Sequence, residues 1–218
     1  MPIVDDILVD MEPRDRRPDV GRLMLVPVFI GLVVFNVSHL LDRDAHRSAL
    51  EVGGTVAALA FYTVLVVMYL RRGAASGTDR RPAVWLAAGA ATFSPFLIPL
   101  LGSGGAHTTA AGMGSALVLV GVALSTWSLL SLRTNISVVP QARELSTSGP
   151  YRWFRHPLYV FEYVAAIGLV LLSGGGLAWL VFLGLGVLQV LRARWEEKLL
   201  REELPGYAAY AARTPGFS

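Results

Sequence analysis

The chain has 218 residues, of which 54% are hydrophobic and 16% are charged, and its formal net charge is +3. A soluble domain usually carries about a quarter charged residues, so this composition indicates a single membrane domain that is solvated largely by lipid. The sequence contains no cysteine, which excludes disulfides, thiolate nucleophiles and thiolate metal sites.

The N-terminal segment is polar. It has acidic residues near its start and no apolar run, which is not the pattern of a cleavable signal peptide. We therefore expect residues 1–21 to form a polar tail ahead of the first membrane span.

Four apolar runs follow, each about long enough to cross roughly 30 Å of hydrocarbon as a helix. Pro95 and Pro99 predict a kink in the far half of the third run. The fourth run is rich in glycine, alanine and serine, which allow close approach of helices. The predicted spans are Leu23–Leu41, Val52–Leu70, Val84–Leu101 and Ala110–Leu132. Together they form a predicted region of four transmembrane helices at 22–132.

A second apolar region, Leu158–Leu191, follows a polar stretch and is divided by Ser-Gly-Gly-Gly at residues 173–176. Glycine runs end helices and form turns, so a hairpin of two short helices is expected here instead of one long helix. The predicted fold is all-α: a polytopic membrane helix bundle of about six crossings, followed by a cytoplasmic amphipathic helix. Residues 133–218 are expected to form the catalytic region.

The cationic residues are distributed asymmetrically among the predicted loops. With the N-terminus inside, the inner segments hold 17 of the 19 lysines and arginines, and the outer connections hold only Arg43 and Arg47. Cytoplasmic loops of membrane proteins carry such an excess. We therefore expect both termini in the cytoplasm.

The segment GPYRWFRHPLY at 149–159 is unusually polar and aromatic for this chain. Gly149 and Pro150 predict a turn, and Pro157 predicts the first turn of a helix, with Arg155 and His156 directly before it. Single arginines and aromatic residues at a membrane boundary are ordinary interface anchors. Their joint density predicts a cationic pocket for an amphiphilic anionic group beside an aromatic base, and the rings available for stacking are Tyr151, Trp153 and Tyr159.

Glu162 lies five residues after Pro157, about 7.5 Å further along the helix. An ionisable residue at this depth is costly and is a candidate functional residue. It shares a helix face with Tyr159, so it can line the same cavity as the motif. The alternative is a structural ion pair with Arg155 or Arg133.

The C-terminal segment RARWEEKLLREELPGYAAY carries charges at helical spacing. Arg192 with Glu196 and Arg194 with Glu197 can form surface pairs, as in any solvated helix. Because this helix continues out of the hairpin and emerges beside the cationic pocket, the same side chains can instead hold a substrate. Pro205 predicts that the helix breaks near that residue.

The pattern G-P-Y-x-x-x-R-H-P-x-Y, then a hydrophobic hairpin, R-x-R-x-E-E-x-x-L and Y-x-x-Y, resembles the isoprenylcysteine carboxyl methyltransferase family. The related phospholipid N-methyltransferases share this architecture, and the resemblance covers roughly residues 133–213. It implies an integral membrane enzyme that uses S-adenosylmethionine. The resemblance assigns these residues to the cofactor pocket: Gly149, Pro150, Tyr151, Arg155, His156, Pro157, Tyr159, Glu196 and Glu197.

The resemblance also implies that an arginine near the two glutamates positions the methyl acceptor, and both Arg192 and Arg194 fit. The tract SVVPQAREL resembles many bacterial members, which makes Gln141 and Arg143 possible lining residues and implies a location in a bacterial inner membrane. Methyl transfer from a sulfonium needs mainly alignment, so no metal is expected. A carboxylate acceptor needs only an arginine, whereas an amine, thiol or phenol would benefit from a base, for which Glu162 is the candidate. The expected partners are a lipophilic acceptor and membrane lipid, without nucleic acid.

Two other classes of protein fit parts of this pattern. Membrane sterol or steroid reductases that bind a nicotinamide cofactor carry a similar segment, usually R-H-P-N-Y, whereas this chain has Leu158 in place of the asparagine. A transporter or other non-enzymatic membrane protein is the second alternative. Transporters place ionisable residues near the bilayer midplane in matched halves, whereas here they gather at one interface without a visible internal repeat.

Overall fold

The computed structural model describes residues 19–42, 47–73, 75, 77–103, 108–133 and 135–217. The proposed tail up to residue 18 and Arg43 lie outside these residues. The described elements are almost entirely helical, as predicted. In chain order they are α1 (Val20–Leu41), α2 (Ala49–Arg71), β1 (Gly77–Thr78), α3 (Pro82–Leu101), α4 (Thr108–Leu132), β2 (Gln141–Ala142), a 3₁₀ turn (Gly149–Arg152), α5 (Pro157–Ser173), α6 (Gly176–Glu203) and α7 (Tyr207–Ala211).

The first four helices begin two or three residues before the predicted apolar runs, because polar residues and proline serve as caps. The side chain of Asp19 accepts from the backbone of Arg22 at the start of α1. Ser48 and Glu51 form a reciprocal capping box at the start of α2. Pro82 takes the first position of α3, where its missing N–H is not needed.

Helix α3 continues through Pro95 and Pro99. Pro95 has no N–H for the carbonyl of Ala91. The hydroxyl of Ser94 donates to that carbonyl at 3.3 Å, which compensates for the missing bond. A neighbouring side chain thus allows proline within a membrane helix.

The predicted hairpin is confirmed. Gly174 and Gly175 have φ values of 63° and 86° and turn the chain between α5 and α6. Helix α5 has 17 residues, a rise of about 25 Å, whereas α6 has 28 residues and rises about 42 Å. Five of the described helices are long and apolar enough to cross a membrane, and α5 is a shorter apolar helix. Helix α6 ends at Glu203, just before Pro205, as predicted.

The helices pack in a defined order. Helix α1 packs on α2, α2 on α4, α4 on α5, and α5 on both α3 and α6, while α3 also packs on α6. One apolar core joins α3, α5 and α6 around Ile98, Val170 and Leu185. Another joins α1, α2 and α4 around Phe29, Tyr69 and Leu129.

The segments predicted to be cytoplasmic meet at one end of this bundle. Arg22 donates to the carbonyl of Tyr69 at 2.9 Å, and Arg72 donates to that of Ile136 at 3.4 Å. The backbone N–H of Arg155 donates to the carbonyl of Pro215 at 2.9 Å. The positive segments therefore form one polar end, and the side of the membrane that it faces stays a prediction.

Candidate active site

Two cavities meet at the polar end of the bundle. The larger, about 330 Å³, is walled mainly by apolar residues of α2, α3, α4 and α5. The smaller, about 50 Å³, is lined by polar residues from β2, the 3₁₀ turn, α6 and α7. The residues that line both cavities are Leu132, Asn135, Tyr151, Arg155, His156 and Glu196.

The most buried charges at this border surround Glu197, whose side chain is 3% exposed. Its carboxylate pairs with the Arg155 guanidinium. Its other oxygen lies 2.9 Å from Nε2 of His156, and Arg201 approaches to 3.6 Å from the next turn of α6. Buried charges are stable only when paired and hydrogen-bonded in this way. Glu197 therefore joins α6 to the residues directly before α5.

Glu196 makes a second link between α5 and α6. The hydroxyl of Tyr159 donates to its carboxylate at 2.7 Å, and Nδ1 of His156 lies 3.8 Å from the same oxygen. The rings of His156 and Tyr159 stack with centroids 5.4 Å apart and an interplanar angle of 5°. The two adjacent glutamates thus lie on either side of one histidine, and Glu197 is within hydrogen-bond distance of its ring.

Arg192 lies one turn before Glu196 and faces the larger cavity, with 4% of its surface exposed. Its guanidinium carbon is 4.7 Å from the centre of the Tyr159 ring, and one terminal nitrogen donates to the carbonyl of Val138 at 2.9 Å. Within the part of the chain that the structure describes, its buried Nε has no hydrogen-bond partner.

Glu162 lines the same cavity and is connected to Arg192 through a glutamine. The amide of Gln189 donates to Glu162 at 2.9 Å, and its oxygen accepts from Arg192 at 3.3 Å. The expected alternatives for Glu162 were ion pairs with Arg155 or Arg133. The hydrogen bond to Gln189 instead leaves this carboxylate within the cavity wall.

The C-terminal segment after α7 covers the border from outside. Phe217 stacks on the His156 ring at 5.8 Å, and a β-carbon on Gly216 would collide with Arg155 and Glu197. The hydroxyl of Tyr210 donates to the carbonyl of Tyr151 at 2.6 Å. Burial raises the pKa of Tyr210 to about 12, so this group keeps its proton at neutral pH.

The turn before the site depends on a glycine. Gly149 has a φ of 57°, and a β-carbon there would collide with the Ser131 side chain at the end of α4. Pro150 and Pro157 are fully buried on either side of the charged residues. Burial, with the nearby Glu196 carboxylate, raises the pKa of Tyr151 well above its usual range, so Tyr151 is a neutral ring at the border.

The predicted site residues fall into three groups. Arg192 and Glu162 line the larger cavity, and Gln141 and Arg143 line the smaller one. Arg194 is exposed on another face of α6, beside a surface groove with Lys198 and Glu202. Trp153 is 45% exposed and contacts Trp127 edge to face. The other predicted residues lie at the border of the two cavities or directly next to it: Gly149, Pro150, Tyr151, Arg155, His156, Pro157, Tyr159, Glu196 and Glu197.

Sequence reasoning missed Gln189 and the C-terminal cover. Gln189 is a polar residue in an apolar run, and its spacing of three and seven to Arg192 and Glu196 places all three on one helix face. That signal was available in the sequence. No local pattern indicates that Pro215 and Phe217 return to the motif at 155–156.

Comparison with known proteins shows what this region is similar to. Residues 109–205 match the family model described as phospholipid methyltransferase. A 78-residue stretch is 37% identical to the nickel-cobalt-cadmium resistance protein NccN of Alcaligenes xylosoxydans xylosoxydans, covering 35% of this chain and 37% of that protein. A 100-residue stretch is 33% identical to the cobalt-zinc-cadmium resistance protein CzcN of Cupriavidus metallidurans, covering 45% of this chain and 46% of that protein.

The alignments thus span less than half of either curated relative. The family match extends from the start of α4 to the end of α6 and contains the charged residues at the border of the two cavities. It gives no support to the reductase alternative. Residues 109–205 therefore resemble a phospholipid methyltransferase domain, and the five long apolar helices indicate a multi-pass membrane protein.

Proposed function

We propose that this protein transfers a methyl group from S-adenosylmethionine to a lipophilic acceptor at the cytoplasmic face of a bacterial inner membrane. The observation that carries the proposal is the shared border between an apolar cavity and a polar one, built from residues within the phospholipid methyltransferase match. One reactant would come from lipid and the other from water. The positive-inside pattern supports the cytoplasmic orientation.

The chemistry of the border residues fits this cofactor. S-adenosylmethionine has an aromatic base, ribose hydroxyls, a carboxylate and two cationic groups. Tyr151 offers an aromatic ring, Gln141 and Arg143 offer donors, and Glu196 offers an acceptor for cationic groups. The Nε of Arg143 is buried and has no hydrogen-bond partner among the residues described. Since the small cavity holds only about 50 Å³, a nucleoside ligand would also occupy the shared border.

The residues of the chain would act mainly by alignment. When bound, the cofactor supplies an electrophilic methyl group: the acceptor's lone pair forms the bond to the methyl carbon, and the electron pair of the broken carbon–sulfur bond neutralises the sulfonium. Arg192 would orient an anionic acceptor through its unpartnered Nε–H. Glu162 would take the proton released by an amine, thiol or phenol acceptor. Holding two reactants in attack geometry contributes about 7 to 11 kcal/mol.

The larger cavity supports a lipophilic acceptor. Its wall carries aromatic and aliphatic side chains of the membrane helices, and its charged groups gather at the polar end. An acceptor with an apolar body and one polar head matches this distribution. A prenylcysteine-like carboxylate, which the family resemblance implies, is one such molecule, and a small lipid-soluble amine or phenol is another.

The names of the two curated relatives refer to resistance to metals. Among the described residues there is no group of three or more His, Cys, Asp or Glu side chains placed to hold a metal ion. No observation on this chain therefore favours metal handling as a second function.

Calorimetric titration of the solubilised protein tests the proposal. We expect saturable binding of S-adenosylhomocysteine and none of NADPH. We also expect membranes that contain the protein to incorporate label from S-[methyl-³H]adenosylmethionine into material extracted by organic solvent. Binding of NADPH without S-adenosylhomocysteine would refute the proposal in favour of a reductase.

A further inference from the structure

The walls of the larger cavity form an incomplete ring of helices. Four helices contribute most of its lining, and they pack in the sequence α2 on α4, α4 on α5, and α5 on α3. Among the described residues, α2 and α3 do not form a packed pair. The ring is therefore open between these two helices, both of which precede the family match.

Side chains on either side of this gap line the cavity. Phe61 and Tyr62 come from α2, whereas Pro95, Phe96 and Pro99 come from α3. Pro99, one of these lining side chains, is exposed. The rings of Tyr62 and Phe96 stack across the gap, with centroids 6.5 Å apart and an interplanar angle of 25°.

The depth of this aromatic pair shows what the gap faces. Tyr62 lies nine residues before the end of α2 at Arg71, about 14 Å along the helix. Phe96 lies fourteen residues after the start of α3 at Pro82, about 21 Å along it. Both distances start from the polar end of the bundle, and both fall within a hydrocarbon layer of roughly 30 Å. The gap therefore opens toward lipid tails.

We propose that the opening between α2 and α3 is the lateral route by which the methyl acceptor reaches the cavity from the membrane, with Tyr62 and Phe96 as its gate. This inference rests on the proposed function. An acceptor that slides between these helices with its polar head toward Arg192 keeps its apolar part in hydrocarbon throughout. It avoids the transfer of about 25 cal/mol per Å² of apolar surface into water that an approach through the polar end requires.

The stacked pair also limits which acceptors pass. Two aromatic rings in contact leave space for a single slender chain when they separate, whereas two parallel acyl chains need a wider gap. The structure thus favours a single-chain or prenyl-like acceptor over a diacyl phospholipid whose tails would both enter the cavity. Phe93, at 6.4 Å from Phe96, supports the gate from the same helix.

The absence of cysteine in the chain allows a direct test. The double variant Tyr62→Cys/Phe96→Cys is prepared in its native membrane and joined by oxidation or by a short bifunctional maleimide. Organic-extractable tritium from S-[methyl-³H]adenosylmethionine then measures acceptor methylation, and S-adenosylhomocysteine binding measures the cofactor site. We expect methylation to fall in proportion to the cross-linked fraction, with cofactor affinity within twofold of its initial value. Reduction of the disulfide should restore methylation.

The single variants Tyr62→Cys and Phe96→Cys, treated with the same reagents, are the matched controls, since neither can join α2 to α3. Full methylation by a cross-linked protein would overturn the lateral route, and a pair that no short reagent joins would contradict the gate. Absence of methylation and of cofactor binding in the parent protein would instead refute the proposed function. Phe96→Ala provides a second measurement, because a wider gate should increase the share of label in two-chain lipids.

Discussion

At the residue scale, the two arginines of the terminal helix have the same chemistry but different surroundings. Arg192 lies in the wall of the larger cavity with 4% of its surface exposed, while Arg194 is exposed on another face of α6. Two residues along a helix turn the side chain by about 200°, so only one of the pair can face a given cavity. Sequence reasoning left both as candidates to orient the acceptor, and the structure favours Arg192.

The variants Arg192→Lys and Arg194→Lys test this choice while keeping the positive charge. The planar guanidinium of Arg192 donates to Val138 and Gln189 and also faces the cavity. The single ammonium group of lysine cannot reproduce this set of N–H donors. Losing a hydrogen bond to a charged group costs about 1.5–3 kcal/mol, so we expect methyl transfer to fall by roughly tenfold to a hundredfold for Arg192→Lys. Initial rates with tritiated cofactor provide the measurement. A larger loss for Arg194→Lys would reverse the assignment.

At the scale of elements, the C-terminal segment after α7 closes the polar side of the site. Arg155 donates its backbone N–H to Pro215, and Phe217 covers one face of His156. Gly216 passes so close to Arg155 and Glu197 that a β-carbon has no space. The proposed cofactor pocket is therefore completed by residues that lie about sixty positions along the chain from Arg155 and His156.

Gly216→Ala tests the contribution of this cover. Overpacking costs about 1–3 kcal/mol, and we expect both a Tm lowered by roughly 2–4 °C for each 1 kcal/mol and weaker binding of S-adenosylhomocysteine. Gly184→Ala is the matched control, because a β-carbon at that helical position meets nothing within 4 Å. Equal Tm and affinity in the two variants would show that the cover does not support the site.

At the scale of the whole molecule, the first two helices are connected to the candidate site through polar contacts that are at least partly buried. Asp19 pairs with Arg72, and Arg72 reaches the carbonyl of Ile136. The hydroxyl of Tyr69 accepts from the N–H of Val138 at 2.8 Å, and the carbonyl of Val138 in turn accepts from Arg192. The segment at 135–138 is thus held between α2 and α6.

The Asp19 pair predicts a dependence of stability on pH. Burial opposes ionisation of Asp19, but the hydrogen bonds and charge of Arg72, with the Arg22 backbone, outweigh it and lower its pKa. Since the pKa is lower in the folded protein, the pair stabilises the fold above the ordinary carboxyl range of about 4, and this stabilisation is lost as the pH falls through the lowered value.

We expect Asp19→Asn to lower the Tm at neutral pH by a few degrees. We also expect the Tm of this variant to decrease less than that of the parent protein as the pH falls. Glu202→Gln is the control, because Glu202 forms an exposed pair with Lys198 at 4.0 Å, which contributes little. Thermal unfolding between pH 3 and 7 provides the measurement. Parallel Tm profiles for Asp19→Asn and the parent protein would contradict the prediction.

Much of this architecture follows from local patterns. The length of apolar runs determines which segments become membrane helices, because every backbone polar group in hydrocarbon must bond within its own helix. Glycines at 174 and 175 determine the hairpin because they adopt positive φ readily. The density of charge and rings at 149–159 indicates where a site lies, since such residues are costly in lipid unless they contact one another or a ligand.

The sequence by itself therefore determined the membrane class, the helices and the hairpin, and it indicated Tyr151, Arg155, His156 and Glu196 but not Leu132 and Asn135 among the border residues. Only the tertiary structure decided which arginine faces the cavity, what Glu162 bonds to, how the C-terminal segment covers His156, and where the ring of helices stays open. These features depend on helix rotation and on contacts between residues far apart in the chain. Local sequence patterns set the period and length of each helix, but packing sets its rotation against its neighbours.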